Sequence, residues 1–175
     1  MNSDLGAPLT SDFKRAMRAL TSAVSIISTS HDGQRFGMTA TAVTSVSITP
    51  PSLLVCVNQA ASLHAPLLAS RRFCVNILQA WQSPLAQVFG SAAIGDRFTH
   101  GAWLCDDRAL PYLADAQTNV FCDVDGVHAY GTHTVVIGRV YGVGVHAPIH
   151  PLLYQDGRYT VGLSEGVDWV IPIAG

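Results

Sequence analysis

Apolar positions along this chain fall mostly into short runs of strand length, punctuated by glycine, proline and Asp-Gly turns. Residues 23–29 form one such run, rich in side chains that suit a half-buried pleated sheet. Asp32-Gly33 follows, a short-range hairpin signal, and residues 35–41 read as the returning strand. Pro50-Pro51 forces an extended turn ahead of a strand over residues 53–58. Residues 72–78, 118–124 and 134–145 are further strand-like runs. Residues 152–154 and 158–161 make a last hairpin about Asp156-Gly157. Helical spacing is scarce. Ser11 or Asp12 can cap a short helix with Phe13, Ala16, Met17 and Leu20 at i, i+3, i+4 and i+7. Residues 62–70 allow a second helix, weakened by Pro66. Ser83-Pro84 opens a third over residues 85–89, with proline where a first helical turn tolerates it. Residues 90–115 show little periodicity and read as a long surface excursion. Seven or eight strands with few helices exclude a βαβ alternation and predict a mainly β barrel or sandwich.

One segment breaks the apolar pattern. Gly37-Met38-Thr39-Ala40-Thr41-Ala42-Val43-Thr44-Ser45-Val46-Ser47 is nearly all small side chains and hydroxyls. Short hydroxyls donate and accept as a partner requires, and small side chains let a flat ligand approach the backbone. The tract abuts the strand ending Cys56-Val57-Asn58, so it is anchored to a rigid element, as small-molecule sites are. An ordinary Ser/Thr-rich strand pair is the alternative reading.

Composition narrows the function classes. Hydrophobic residues make up 49% of the 175 and charged residues only 13%. About 25% charge is usual for a globular domain, so part of the apolar surface is expected in an oligomer interface, most commonly a symmetric pair. The formal net charge is −2 and the ten Lys and Arg are scattered, which removes the electrostatic case for nucleic acid. No apolar run reaches membrane-spanning length, and Met1-Asn2-Ser3-Asp4 carries no secretory signal pattern; a cytoplasmic protein is expected. Cys56, Cys74, Cys105 and Cys122 show no CxxC spacing and read as buried free thiols.

The common chemical motifs are missing. Gly142-Val143-Gly144 resembles the start of a dinucleotide fingerprint, but Ala147 replaces the third glycine and Pro148 and Pro151 block the helix that should follow. No P-loop and no GxSxG occurs. The seven histidines lack ligand-like spacing with carboxylates or cysteines, so no metal site is expected. His133 stands out among them. It follows the Gly131-Thr132 turn at the mouth of a β run, where an imidazole can face a cavity and exchange a proton near neutral pH; a histidine satisfied by backbone groups is the alternative.

A series of motifs then appears in a fixed order: Phe13-Lys14-Arg15-Ala16-Met17, Gly37 to Ala42, Ser45-Val46-Ser47 with Pro50-Pro51, and Leu54 to Asn58. Cys74 to Leu78, Asp96-Arg97-Phe98, Gly131-Thr132-His133, and Leu153-Tyr154 with Arg158-Tyr159 complete it. The series resembles the short-chain flavin reductases, the reductase components of two-component flavin-dependent monooxygenases, over about residues 12–162. Residues 1–11 are then a lead-in and 163–175 a tail. The resemblance implies the FMN-binding split barrel, an antiparallel β-barrel that pairs as a homodimer. It implies hydride transfer from NADH or NADPH to FMN, or FAD, and release of reduced flavin to a partner monooxygenase.

The resemblance also implies site residues. Met38, Thr39, Ala40 and Thr41 match the segment lining the flavin ring, with threonine at 41 where many members have asparagine. Ser45, Val46 and Ser47 match contacts to the ring's polar edge. Cys56, Val57, Asn58 and Ser62 match the strand end and loop holding the ribityl phosphate. Phe98 matches an aromatic covering the ring. His133 matches the histidine near the nicotinamide, expected to orient it or to give reduced flavin a proton; Thr132 replaces the aspartate of many members and points to the 4-hydroxyphenylacetate and pyrimidine branch. The residues suit such a role, because flavin and nicotinamide supply the redox chemistry and the protein supplies binding and orientation. Two rivals remain: a reductase with retained flavin that delivers electrons to a quinone, dye or metal complex, and a non-enzymatic flavin- or haem-binding module.

Overall fold

In the computed structural model, residues 6–91, 97–146 and 148–162 are described. Helix α1 (Gly6–Arg18) leads into the two-residue strand β1 (Ser22–Ala23). Strands β2 (Ser25–His31), β3 (Gln34–Ala40), β4 (Val43–Ile48) and β5 (Pro51–Asn58) follow, then helix α2 (His64–Ser70) and β6 (Arg72–Ile77). Helix α3 (Ser83–Gly90) precedes a small hairpin of β7 (Trp103–Cys105) and β8 (Pro111–Leu113). Two long strands, β9 (Thr118–Tyr130) and β10 (His133–Val145), and a terminal hairpin, β11 (Leu152–Gln155) and β12 (Arg158–Val161), complete the order.

Seven strands form one antiparallel sheet in the order β3-β2-β6-β9-β10-β5-β4. Irregular registers in β9–β10 at Ile137/Gly138 and Val140/Gly142, and in β4–β5 at Ser45/Ser47, add local twist and bend. The sheet rolls until Thr41 and Ala42 bridge its two edge strands, where the Cys56 N–H donates to the Ala42 carbonyl at 3.1 Å. Alternate residues then point into one core. Ile27, Ala40, Val55, Val57, Phe73, Val75 and Val136 meet there, with Leu63 and Leu67 from the α2 region packed onto them. Gly138 faces this core, and a Cβ there would lie 2.5 Å from the Phe73 ring. The expected split barrel is the fold found.

A second core covers the outer face of β2 and β6. Val24, Ile26, Leu78, Phe89, Phe98, Leu113 and Leu152 belong to it. Its polar centre is Asn76, fully buried. The Asn76 amide donates to the Ile26 carbonyl at 2.8 Å and to Ser28 Oγ at 2.9 Å. Its Oδ1 accepts the Leu113 N–H at 2.8 Å and the Asn119 amide at 2.9 Å. Ser28 Oγ in turn donates to the Pro111 carbonyl at 2.6 Å. These bonds dock the β7–β8 hairpin on the barrel wall.

Three expectations change. The first helix starts at Gly6, ahead of the Ser11 or Asp12 cap, and its Phe13, Met17 and Leu20 stay largely exposed instead of entering the core. The stretch read as a surface excursion is not one throughout where it is described: Phe98, Leu110, Pro111 and Leu113 are buried. Its strands are too short, three residues each, to leave a periodic signal. The four thiols are free, but only Cys74 and Cys122 are buried; Cys56 is half-buried and Cys105 exposed. Part of the lead-in, Asp96 and the tail fall outside the described residues.

Candidate functional site

The β5 strand organises the candidate site. Leu53, Val55 and Val57 turn inward, so Leu54, Cys56 and Asn58 face outward, half-buried or exposed. On one side β4 pairs with β5, setting Thr44 against Leu54 and Ser45 against Leu53. On the other side β10 sets Val135 against Cys56 and His133 against Asn58. The outward wall of β4, β5 and β10 is therefore one continuous surface. It carries hydroxyls at the β4 end and an amide and an imidazole at the other. From the Leu53 position to Asn58 the strand rises five residues, about 17 Å.

At the Asn58 end the backbone is tightly tied. Asn58 Oδ1 accepts the Ala60 N–H at 2.9 Å, turning the chain toward exposed Ser62. The Gln59 N–H donates to the Thr132 carbonyl at 3.0 Å, and the Gln59 amide to the His133 carbonyl at 3.2 Å. Thr132 Oγ1 shares a 2.9 Å hydrogen bond with His133 Nδ1. His133 is thus held on an exposed turn with Nε2 outward of that bond. Sequence reasoning missed Gln59, whose clamp is a contact across two loops. It also missed His64, whose Nε2 shares a 2.9 Å bond with buried Thr134 Oγ1.

At the other end, Ala40 lies in the barrel core and Met38 is half-buried against it. Thr39 Oγ1 donates to the Ala86 carbonyl at 2.7 Å and fastens α3 to β3. Thr41, Ser45 and Val46 are exposed. Ser47 Oγ donates to the Thr49 carbonyl at 3.0 Å and accepts the Thr49 N–H at 3.1 Å, so its hydroxyl shapes the turn into Pro50-Pro51. Val57 is buried and offers only its backbone. Thr41 and Ala42 also border a cavity of about 640 Å³ walled by Phe13, Met17, Leu20 and Tyr154. That cavity explains where the apolar stripe of α1 faces.

Phe98 is not brought together with the others. It packs edge-on against Phe89 and Trp103, with ring centroids 5.2 and 4.7 Å away, and the Arg35 guanidinium lies 4.8 Å over its ring. It lies against Gly37, where an added Cβ would meet Phe89 at 2.7 Å and Phe98 at 3.2 Å. Among the described residues no group of three or more His, Cys, Asp or Glu is placed to hold a metal ion, and no helix is long and apolar enough to cross a membrane.

A rolled antiparallel sheet of seven strands places the protein among the β-barrel proteins. Residues 17–162 match the flavin reductase like domain, and the chain belongs to that family. It is 38% identical over 159 residues to the reductase component of the FADH(2)-dependent resorcinol hydroxylase of Rhizobium sp. (strain MTP-10005), covering 89% of each chain. It is 40% identical over 148 residues to an FMN reductase (NADH), RutF 1, of Methylorubrum extorquens, covering 84% of this chain and 74% of that one. Among solved structures, nitrilotriacetate monooxygenase component B from Mycobacterium thermoresistibile superposes with a TM-score of 0.86 at 29% identity over 97% of both chains. The NADH:FAD oxidoreductase SgcE6 of Streptomyces globisporus, solved with NAD and FAD fragments, gives 0.86 at 25% identity, covering 94% of this chain and 99% of that one.

Proposed function

We propose that this protein is an NAD(P)H:flavin oxidoreductase that reduces FMN, with FAD as the alternative, and passes reduced flavin to a flavin-dependent monooxygenase. The observation that carries the reading is the outward track from Thr44 past Leu54 and Cys56 to Asn58 and His133 on one sheet wall, with exposed Thr41 and Ser45 flanking its β4 end. Its chemistry fits a flavin: small side chains and exposed hydroxyls for the ring, an amide and Ser62 near the turn for the tail phosphate. A bound flavin supplies the hydride-accepting chemistry. The chain's own part is to hold and expose. Thr41, Ser45, Val46 and Ser47 present the ring-binding edge, partly through backbone, while Met38, Thr39 and Ala40 contribute their strand's main chain. Cys56, Val57, Asn58 and Ser62 bind the tail. Thr132 fixes His133 Nδ1, so Nε2 is the atom that orients the nicotinamide or exchanges a proton. Phe98 reaches a ring only if its present aromatic packing opens.

The same reading includes a homodimer in the cytoplasm. Val46 and Ile48 on β4, and Tyr141, Val143 and Val145 on β10, are large apolar side chains left exposed in one protomer. A patch of that kind marks an interaction surface, and a second copy covering it would enclose the outer wall. The test is steady-state NADH and NADPH oxidation with FMN, FAD and riboflavin each varied, with sedimentation in parallel. Colourless protein whose rate saturates in added FMN near the micromolar range, about −8 kcal/mol, is the expected result. Flavin retained through purification with nanomolar affinity, about −12 kcal/mol, would replace the diffusible-flavin reading with a direct electron donor. No oxidation of either nucleotide would end the reductase reading.

A further inference from the structure

Remote from the flavin track, at the Asp32-Gly33 tip of the β2–β3 hairpin, a cavity of about 430 Å³ is bordered by Arg35, Arg72, Arg108 and Cys105. The residue Ala40 lies six positions along β3 from Gln34, a rise of about 20 Å, so this cavity and the ring-binding segment occupy opposite ends of that strand. We propose that the cavity is a binding site for a small phosphate-bearing molecule.

Charge is the first argument. The chain as a whole carries −2, yet three guanidinium groups converge here. Arg108 is compensated: its Nη2 lies 2.9 Å from Asp123 Oδ1 and its guanidinium stacks 4.6 Å over the Tyr141 ring. Arg35 and Arg72 have no ion-pair partner among the described residues. Asp32 also borders the cavity, but it is mostly exposed and lies 3.4 Å from His31 Nε2.

Preorganisation is the second argument. Arg72 Nη1 donates to the Arg108 carbonyl at 3.0 Å, and Arg35 rests on the Phe98 face. Both heads are held by neutral groups, and Asp123, opposite Arg72 in the β6–β9 register, is engaged by Arg108. Each guanidinium has five N–H donors in a fixed fork, so most remain for a ligand. The neighbouring hydroxyls are already committed: Ser30 Oγ donates to the Ala109 carbonyl at 2.8 Å, and Ser70 Oγ lies 3.1 Å from the Arg72 carbonyl. Binding therefore rests on the arginines, and forked guanidinium pairs favour a tetrahedral dianion with several oxygens. The volume is that of a small-molecule site, larger than a single ion requires.

Cys105 supplies a reporter, because its exposed thiol borders the same cavity. The experiment measures alkylation of the intact protein by iodoacetamide, read peptide by peptide, while inorganic phosphate or 5′-AMP is titrated at constant ionic strength with sodium chloride. Saturable slowing at Cys105, with Cys56 unaffected, is expected. Arg72→Gln should move the half-protection concentration up by about tenfold or more, the loss of charge-assisted hydrogen bonds; Arg35→Met is the second variant, should the first fold poorly. Protection at lower concentration by 5′-AMP identifies a phosphate ester as the ligand; equal or better protection by inorganic phosphate identifies the free ion. No protection at tens of millimolar, equal protection by chloride, or an unchanged midpoint in both variants would overturn the proposal. Flavin reduction is not used as the readout, so a failure here and a failure of the reductase reading are distinguishable.

Discussion

Replacing Asn76 by alanine should loosen the outer core without touching the flavin track. The side chain is fully buried and holds Ile26, Ser28, Leu113 and Asn119, with longer contacts to Cys74 at 3.5 and 3.6 Å. Two lose little on their own: Ser28 Oγ keeps the Pro111 carbonyl, and the Asn119 amide keeps the Leu113 carbonyl at 3.0 Å. The Leu113 N–H points away from β7, because its neighbour Ala114 is the residue whose N–H bonds across, to the Ala102 carbonyl at 2.8 Å. Without Asn76 that N–H is left buried and unpaired, at about 1–3 kcal/mol. Each remaining bond lost is about 1 kcal/mol net, and the truncation adds a small cavity cost. The sum is about 3–5 kcal/mol, a large share of a domain's stability of about 5–15 kcal/mol. Ser28→Ala removes one donor and should cost about 1 kcal/mol. The assay is urea unfolding at fixed protein concentration without flavin, since a ligand binding the native state adds its own stabilisation. Amide exchange at Leu113 provides the local readout and should accelerate in Asn76→Ala. A loss below about 1 kcal/mol, or one no larger than that of Ser28→Ala, would show that the hairpin is held by its apolar contacts and that the network adds nothing.

Three further outcomes rest on the same geometry. His133→Ala should lower turnover at saturating flavin by about tenfold or more, on the scale of positioned proton transfer, and wild-type hydride transfer in stopped flow would remove His133 from the chemistry. Gly138→Ala should destabilise by about 1–3 kcal/mol through overpacking, because the new Cβ would stand 2.5 Å from Phe73 and 2.8 Å from Cys122 Cβ; an unchanged urea midpoint would contradict the packing described. Burial, helped by the Asp123 charge, pushes the Cys122 thiol from its ordinary value of 9.0 up to about 12. Because the folded value is raised, this contribution to stability is complete below the ordinary thiol range and is lost as pH rises toward 12. The urea midpoint should therefore fall between pH 9.0 and about pH 12, and Cys122→Ala should flatten part of that fall.

Local signals in the chain were reliable where one turn or one strand decides the outcome. Asp32-Gly33 and Asp156-Gly157 make the hairpins they announce, with Gly33 at φ 74° and Gly157 at φ 78°. Pro84 opens α3 as its tolerated position requires. The strands over residues 53–58 and 134–145 were legible as continuous runs rich in valine and other apolar residues. The hydroxyl tract was visible as composition, since small polar residues inside an apolar chain need a reason.

Tertiary structure decided what those residues do. The pairing of Asn58 with His133 is a register between strands far apart in the chain, and no local pattern encodes it. Thr39 and Ser47 look like free hydroxyls in sequence, yet one fastens α3 and the other closes its own turn. The α1 stripe has ordinary amphipathic spacing, but spacing alone cannot say whether its partner is the core or a groove beside Thr41. Arg35, Arg72 and Arg108 are scattered charges until the rolled sheet gathers them. Periodicity reports how each segment divides its own two faces between oil and water; which distant face it meets is a property of the closed sheet as a whole.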